Sequence, residues 1–207
     1  MIGALVTENP FGLSGLHWCE GRFAGAATPD LAQLPEALRA AVPKRQSEYL
    51  AGRLCAAHAL RAAGLPETVG QKGRAPVWPA GCVGSISHSD ARVVAVVSRT
   101  SAGLGVDVEQ HMTPAQAADI RALILTDAEA ALRPAAMAFE PFLTLVFSAK
   151  ESLYKALSAH LPQMPDFLDV TVLSLTSDAL ALQFGGRTLT ARYDLTAEDV
   201  LTLVTIP

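Results

Sequence analysis

From Pro43 to Ala63 apolar residues recur at helical spacing, and Leu50, Leu54, Ala57 and Leu60 form one stripe. Pro43 suits the first turn of such a helix and Gly64 suits its end. Pro29 to Val42 is rich in Ala, Leu and Pro and predicts short helical pieces. Gly70 to Gly84 carries turn chemistry throughout and predicts a loop. Ala91 to Ser98 is a nearly unbroken apolar run of strand length, and Leu104 to Gln110 predicts a second strand after a turn at Thr100 to Gly103. Thr126 followed by Glu129 has the spacing of a capping box and starts a short helix at Asp127 to Leu132. A longer helix runs from Pro141 to about His160, with Phe142, Leu145, Val146, Ala149, Leu153, Ala156 and Leu157 on its apolar face. Beyond Leu168 the chain alternates apolar and polar positions in four runs, as half-buried antiparallel strands do. This order of elements predicts an α+β fold with mostly antiparallel sheet, and the turn at Thr100 to Gly103 is the expected seam between two halves, 1–103 and 104–207.

Composition removes several function classes. With half of its residues hydrophobic and 17% charged, the chain has the makings of a packed core, not of a disordered segment. Its net charge of −4 disfavours general binding to nucleic acid or to a membrane surface, but leaves room for a local basic pocket that takes a small phosphorylated ligand. Cys19, Cys55 and Cys82 are widely spaced and predict reduced thiols, with neither a disulfide framework nor a structural zinc site. No leader segment and no apolar run long enough for a membrane-spanning helix is evident, so a cytoplasmic protein is expected.

Four groups of residues can carry chemistry. Asp107 and Glu109 stand two apart on a strand and so share a face; they are either a solvated strand end or oxygen ligands for a hard divalent cation. Lys150, Glu151, Tyr154 and Lys155 lie within two turns of the long helix; they are either an exposed i,i+4 ion pair or a third carboxylate beside phosphate-binding ammonium groups. Gly84 to Ser89 reads as a small-residue turn, either a surface feature or a phosphate-binding turn in which His88 donates. Lys44, Arg45, Arg53, Lys72 and Arg74 concentrate five cations in an acidic chain, as a solvated face or as a polyphosphate pocket.

The order GRAPVWP, GSISHS, GVDVE and FSAKESLYKA is distinctive as a set. It resembles the 4'-phosphopantetheinyl transferase superfamily in its two-halved surfactin/enterobactin type, and most of all the branch of enterobactin synthetase component D, where Phe147 stands in place of the Trp common elsewhere. The motifs that carry this resemblance cover roughly residues 43–160.

The resemblance implies a pseudodimer of two similar halves with a ligand cleft between them. It implies a holo-acyl-carrier-protein-synthase type of reaction, in which the phosphopantetheine arm of coenzyme A, the co-substrate, is moved onto a serine of an apo acyl or peptidyl carrier protein. It assigns Asp107, Glu109 and Glu151 to Mg²⁺, with Mn²⁺ as a substitute, and makes Asp107, Glu151 and Lys155 the catalytic set. Arg45 and Arg53 fall to the 3'-phosphate, Lys72, Gly73 and Arg74 to the adenine-side loop, and Ser87, His88, Lys150 and Lys155 to the phosphates of coenzyme A. Lys150 and Lys155 beside Glu151 are expected to depress its pKa, which favours ligation over proton abstraction. A monomer is expected. Two other functions remain open on the residues alone. One is a Mg²⁺-dependent nucleotidyl or phosphohydrolase enzyme, against which the missing G-x-x-x-x-G-K-[ST] loop counts. The other is a non-catalytic coenzyme A or carrier-protein binding module, in which a site carboxylate should be missing.

Overall fold

The structure is a computed structural model that describes residues 2–23, 32, 34–73, 75–161 and 165–207. The chain divides into two compact units, Met1–Thr100 and Ser101–Pro207. Among the described residues, no helix is long and apolar enough to cross a membrane.

In the first unit, β1 (Leu16–Arg22), β4 (Val83–His88) and β5 (Arg92–Ser98) form an antiparallel sheet in the order β1-β5-β4. A short α1 (Glu36–Arg39) precedes α2 (Pro43–Ala62), which lies on this sheet. Of the predicted stripe of α2 only Leu60 is fully buried. Ala51, Cys55, Ala56, Ala59 and Leu60 face the core with Cys19, Val93, Ala95 and Val97, whereas Leu54 is 45% exposed. The reason is close approach. A Cβ on Gly52 would stand 2.8 Å from the Ile86 side chain, so no larger residue fits at that point of α2.

Gly70 to Gly84 is not one loop. It holds a hairpin of β2 (Gly70–Lys72) and β3 (Ala75–Val77) and the start of β4. The GSISHS segment is likewise a strand, because its backbone pairs with β5 from Val83↔Ser98 to His88↔Val93. Strand β1 and the helix α3 (Pro114–Ile124) are further elements that the hydrophobic pattern does not single out.

In the second unit, β6 (Gly103–Gln110) is followed by α3, α4 (Asp127–Ala130), α5 (Phe139–Leu157), β7 (Thr171–Leu175), β8 (Ala179–Phe184), β9 (Arg187–Leu195) and β10 (Asp199–Ile206). The sheet is antiparallel in the order β6-β10-β9-β8-β7, so the four alternating runs of the tail are indeed strands. All seven predicted apolar residues of α5 are buried.

Helix α5 presses directly on β6. A Cβ on Gly105 would meet the Ser152 carbonyl oxygen at 1.8 Å, and one on Gly103 would meet the Ala156 carbonyl oxygen at 2.3 Å. No side chain other than hydrogen fits there. A buried hydroxyl cluster locks the same helix to β10. Thr202 Oγ1 donates to the Ser148 carbonyl at 2.8 Å and lies 2.7 Å from Ser152 Oγ, and Ser152 Oγ donates to the Thr202 carbonyl at 3.1 Å. Each polar atom so buried is satisfied, which fixes the rotation of α5 about its axis.

Candidate active site

Strand β6 is buried to Val108, and Asp107 and Glu109 follow Gly103 and Gly105 on one face by the two-residue period. Opposite Asp107, one turn after Glu151 on α5, stands Lys155. Its Nζ donates to Asp107 Oδ1 at 2.7 Å and to the Val106 carbonyl at 3.1 Å. Asp107 is almost wholly buried, whereas Lys155 keeps part of its side chain in solvent.

Glu151 is half-buried in the same field. Burial pushes its carboxyl above the usual range; the Lys155 charge works against this and the Asp107 charge adds to it. The expectation of a depressed Glu151 is therefore reversed, because desolvation outweighs one ammonium and the second ammonium is elsewhere.

That second ammonium belongs to Lys150, and its geometry corrects the phosphate assignment. Lys150 is fully buried, and its Nζ donates to the Ile124 carbonyl at 2.8 Å, Glu129 Oε1 at 2.9 Å and the Phe167 carbonyl at 3.0 Å. An ammonium has three protons, so none is left for a phosphate. Glu129 is the residue that sequence reasoning missed here. It also accepts from the backbone N–H groups of Thr126 and Val172, both at 2.8 Å. Burial raises its carboxyl, but these hydrogen bonds and Lys150 outweigh burial and hold it below the ordinary carboxylate range. The capping-box spacing of Thr126 and Glu129 was visible in the sequence; the second duty of the carboxylate was not.

The donors on this side are hard carboxylate oxygens. Among the described residues, no group of three or more His, Cys, Asp or Glu side chains is arranged to hold a metal. Asp107 and Glu151 nonetheless fit a hard divalent cation in chemistry, since both offer carboxylate oxygens and the Asp107 charge adds to the cost of ionising Glu151, which a nearby positive charge relieves.

The first unit carries a basic groove of about 570 Å³. Arg45, Tyr49 and Arg53 repeat every four residues on α2 and all line it, with Glu48, Gln71 and His88. Arg45 Nη1 lies 3.0 Å from His88 Nε2, and since a guanidinium can only donate, His88 Nε2 is the acceptor. The Arg53 guanidinium sits 5.0 Å above the Tyr49 ring and donates to the Val69 carbonyl at 3.2 Å. Tyr49, Glu48 and Gln71 were not singled out by sequence, although the four-residue repeat through Tyr49 was there to read.

Other expected residues are placed differently. Lys44 pairs with Asp90 at 2.6 Å on the surface. Lys72 and Gly73 are exposed on the β2–β3 hairpin, whose Gln71 and Pro76 reach the groove. Arg74 lies outside the described residues. Ser87 is buried on the face of β4 opposite His88, because the pairing makes this segment a strand and neighbours on a strand point apart.

Two family models divide the chain as the two units do. The 4'-phosphopantetheinyl transferase N-terminal domain matches residues 34–98, and the 4'-phosphopantetheinyl transferase superfamily matches residues 103–204. The enterobactin synthase component D of Salmonella austin is 39% identical over 97% of this chain and 90% of its own length. The chain belongs to the 4'-phosphopantetheinyl transferase superfamily. It lies in the branch of enterobactin synthase component D, as its counterpart from Escherichia coli O157:H7 also indicates, at 36% identity over 95% of this chain and 96% of that one. The 4'-phosphopantetheinyl transferase PptT of Mycobacterium tuberculosis is 37% identical over 62% of this chain and 59% of its own. This protein is thus a transferase of the phosphopantetheinyl class, and its α+β units with antiparallel sheets agree with that family.

Proposed function

We propose that the enzyme transfers the 4'-phosphopantetheine arm of coenzyme A to a serine hydroxyl of an apo acyl or peptidyl carrier protein and releases adenosine 3',5'-bisphosphate. The pairing of Lys155 with Asp107 beside the raised carboxyl of Glu151 is the observation that carries this reading. Asp107, Glu109 and Glu151 would hold Mg²⁺, or Mn²⁺ in its place, which when bound supplies positive charge to the pyrophosphate oxygens. Lys155, partly exposed, can add a donor to a phosphate oxygen.

A carboxyl raised by burial is a better proton acceptor than an ordinary glutamate, so Glu151 suits the general base. It takes the proton of the carrier serine. The serine oxygen then bonds to the phosphorus that carries the pantetheine arm, and the bond from that phosphorus to the leaving bisphosphate breaks. Arg45, Arg53 and His88 bind the phosphorylated ribose end in the groove, and Lys72 and Gly73 flank its adenine side. On this reading residues 1–103 hold the nucleotide and residues 104–207 hold the metal and the base.

The relatives' names point to an enterobactin synthase; carriers of siderophore, polyketide, peptide and fatty-acid synthesis form the test panel. We place the reaction in the cytoplasm and the active form as a monomer. Incubation with coenzyme A, Mg²⁺ and an apo carrier, followed by intact mass of the carrier, tests the proposal. A gain of one phosphopantetheine group is expected. An unmodified carrier across such a panel, with nucleoside triphosphate consumed instead, would overturn it.

A further inference from the structure

The basic groove of the first unit contains an acid. Glu48 stands one turn from Arg45 on α2, with its side chain only 12% exposed and its Oε2 at 3.4 Å from Arg45 Nη1 and 3.7 Å from His88 Nε2. A carboxylate at this place is costly for a phosphate pocket, because it repels the anion that the arginine attracts. It is favourable for one kind of ligand, in which a hydrogen-bond donor lies directly beside the phosphate.

We infer that Glu48 is a specificity-determining residue that accepts a hydrogen bond from the ribose 2'-hydroxyl next to the 3'-phosphate, while Arg45 takes the phosphate itself. The inference rests on the proposed binding of the phosphorylated ribose of coenzyme A in this groove. A ribose 3'-phosphate carries its free hydroxyl on the adjacent carbon, so anion and donor come close together as Arg45 and the carboxylate do here. An ionised carboxylate can only accept, so a hydroxyl satisfies it and a phosphate does not. The same residue then selects against two ligands. A 2'-deoxyribose leaves the carboxylate without its donor, and a 2'-phosphate isomer sets one anion against another. Glu48 supplies discrimination through a repulsive element that the right ligand alone turns into an attraction.

Calorimetric titration of the full chain with adenosine 3',5'-bisphosphate and with its 2'-deoxy counterpart tests this. The ribonucleotide should bind about tenfold more tightly, the size of a lost hydrogen bond to a charged group. In Glu48→Ala that difference should vanish, and the deoxy nucleotide should bind at least as well as it does to the unaltered protein, because the repulsion is gone. A merely structural role for Glu48 would weaken both nucleotides alike. Equal affinities in the unaltered protein, or a difference that persists in Glu48→Ala, overturn the role of Glu48 and leave the groove as the nucleotide site. Binding of neither nucleotide overturns the groove assignment, and this inference with it.

Discussion

Lys155 Nζ and Asp107 Oδ1 are 2.7 Å apart, across the contact between α5 and β6. Two glycines make that contact possible. With any larger residue at 103 or 105 the helix would stand off the strand, and its lysine would no longer reach the carbonyl of Val106 and the carboxylate of Asp107 together. The pairing gives a buried carboxylate its counter-charge, as burial of an ion requires.

Asp107→Ala should abolish transfer in a protein that still folds. It removes a carboxylate whose stabilisation of charge in the transition state is worth several kcal/mol. Carrier mass after saturating Mg²⁺ and coenzyme A reads the activity, and circular dichroism reads the fold. Near-normal transfer by the folded variant sinks the metal assignment.

Glu151→Gln should lower turnover by roughly 10²–10⁴-fold, as loss of a general base does, with coenzyme A affinity nearly kept. Parallel loss of both, restored by extra Mg²⁺, makes Glu151 chiefly a ligand instead. Stability should change the other way. The folded pKa of Glu151 is raised, so its contribution is fully present below the ordinary carboxylate pKa and is lost as pH rises through the folded value. At neutral pH the Gln variant should therefore unfold at higher urea than the parent, and an unchanged or lower midpoint contradicts the burial argument.

The buried pair of Lys150 and Glu129 is predicted to be structural. Lys150→Met leaves Glu129 buried without its counter-charge and should cost about 3–5 kcal/mol in urea unfolding. Adding Glu129→Gln should recover much of this, since the amide oxygen can still accept from Val172. In the folded double variant the Michaelis constant for coenzyme A should stay within about twofold of the parent; a tenfold rise would return Lys150 to the phosphates. Glu129 is depressed when folded, so the stability it contributes is present above the ordinary carboxylate pKa and is lost as pH falls through its folded value. Stability of the double variant should accordingly fall less steeply than that of the parent on the acid side.

Replacing Arg45 and Arg53 together by Ala should weaken coenzyme A more than 3'-dephospho-coenzyme A. Each charge-assisted contact is worth about 1.5–3 kcal/mol, so the difference should be tenfold or more. Calorimetry with both ligands decides it, and equal weakening removes the 3'-phosphate from the groove.

Several elements were legible because their cause is local. Helix α2 begins at a proline, α4 begins at a capping box, and β5 is an apolar run between turns; each signal acts over a few residues. The alternation in β7 to β10 identifies strands in the same way. The capping box of α3, Thr113 with Gln116, is equally local, and an extended reading of the same rule finds it.

Amino-acid order alone determined which residue types the site contains and on which elements most of them ride: the carboxylates of β6, the glutamate and lysines of α5, the arginines of α2. Tertiary structure decided what each one does. Ser87 and His88 parted because β5 draws their segment into a sheet, where side chains alternate, although its small polar residues have little strand preference of their own. The buried face of α2 is mostly small residues, with Leu60 among them, because at Gly52 the helix comes too close to the Ile86 side chain for a larger residue. Lys150 and Lys155 are alike in chemistry and five positions apart, which turns them to different sides of one helix. One meets Glu129 and is spent in the core, and the other meets Asp107 and stays at the site. Their partners lie 21 and 48 positions away along the chain, and at such separations only packing determines which charge a side chain will meet.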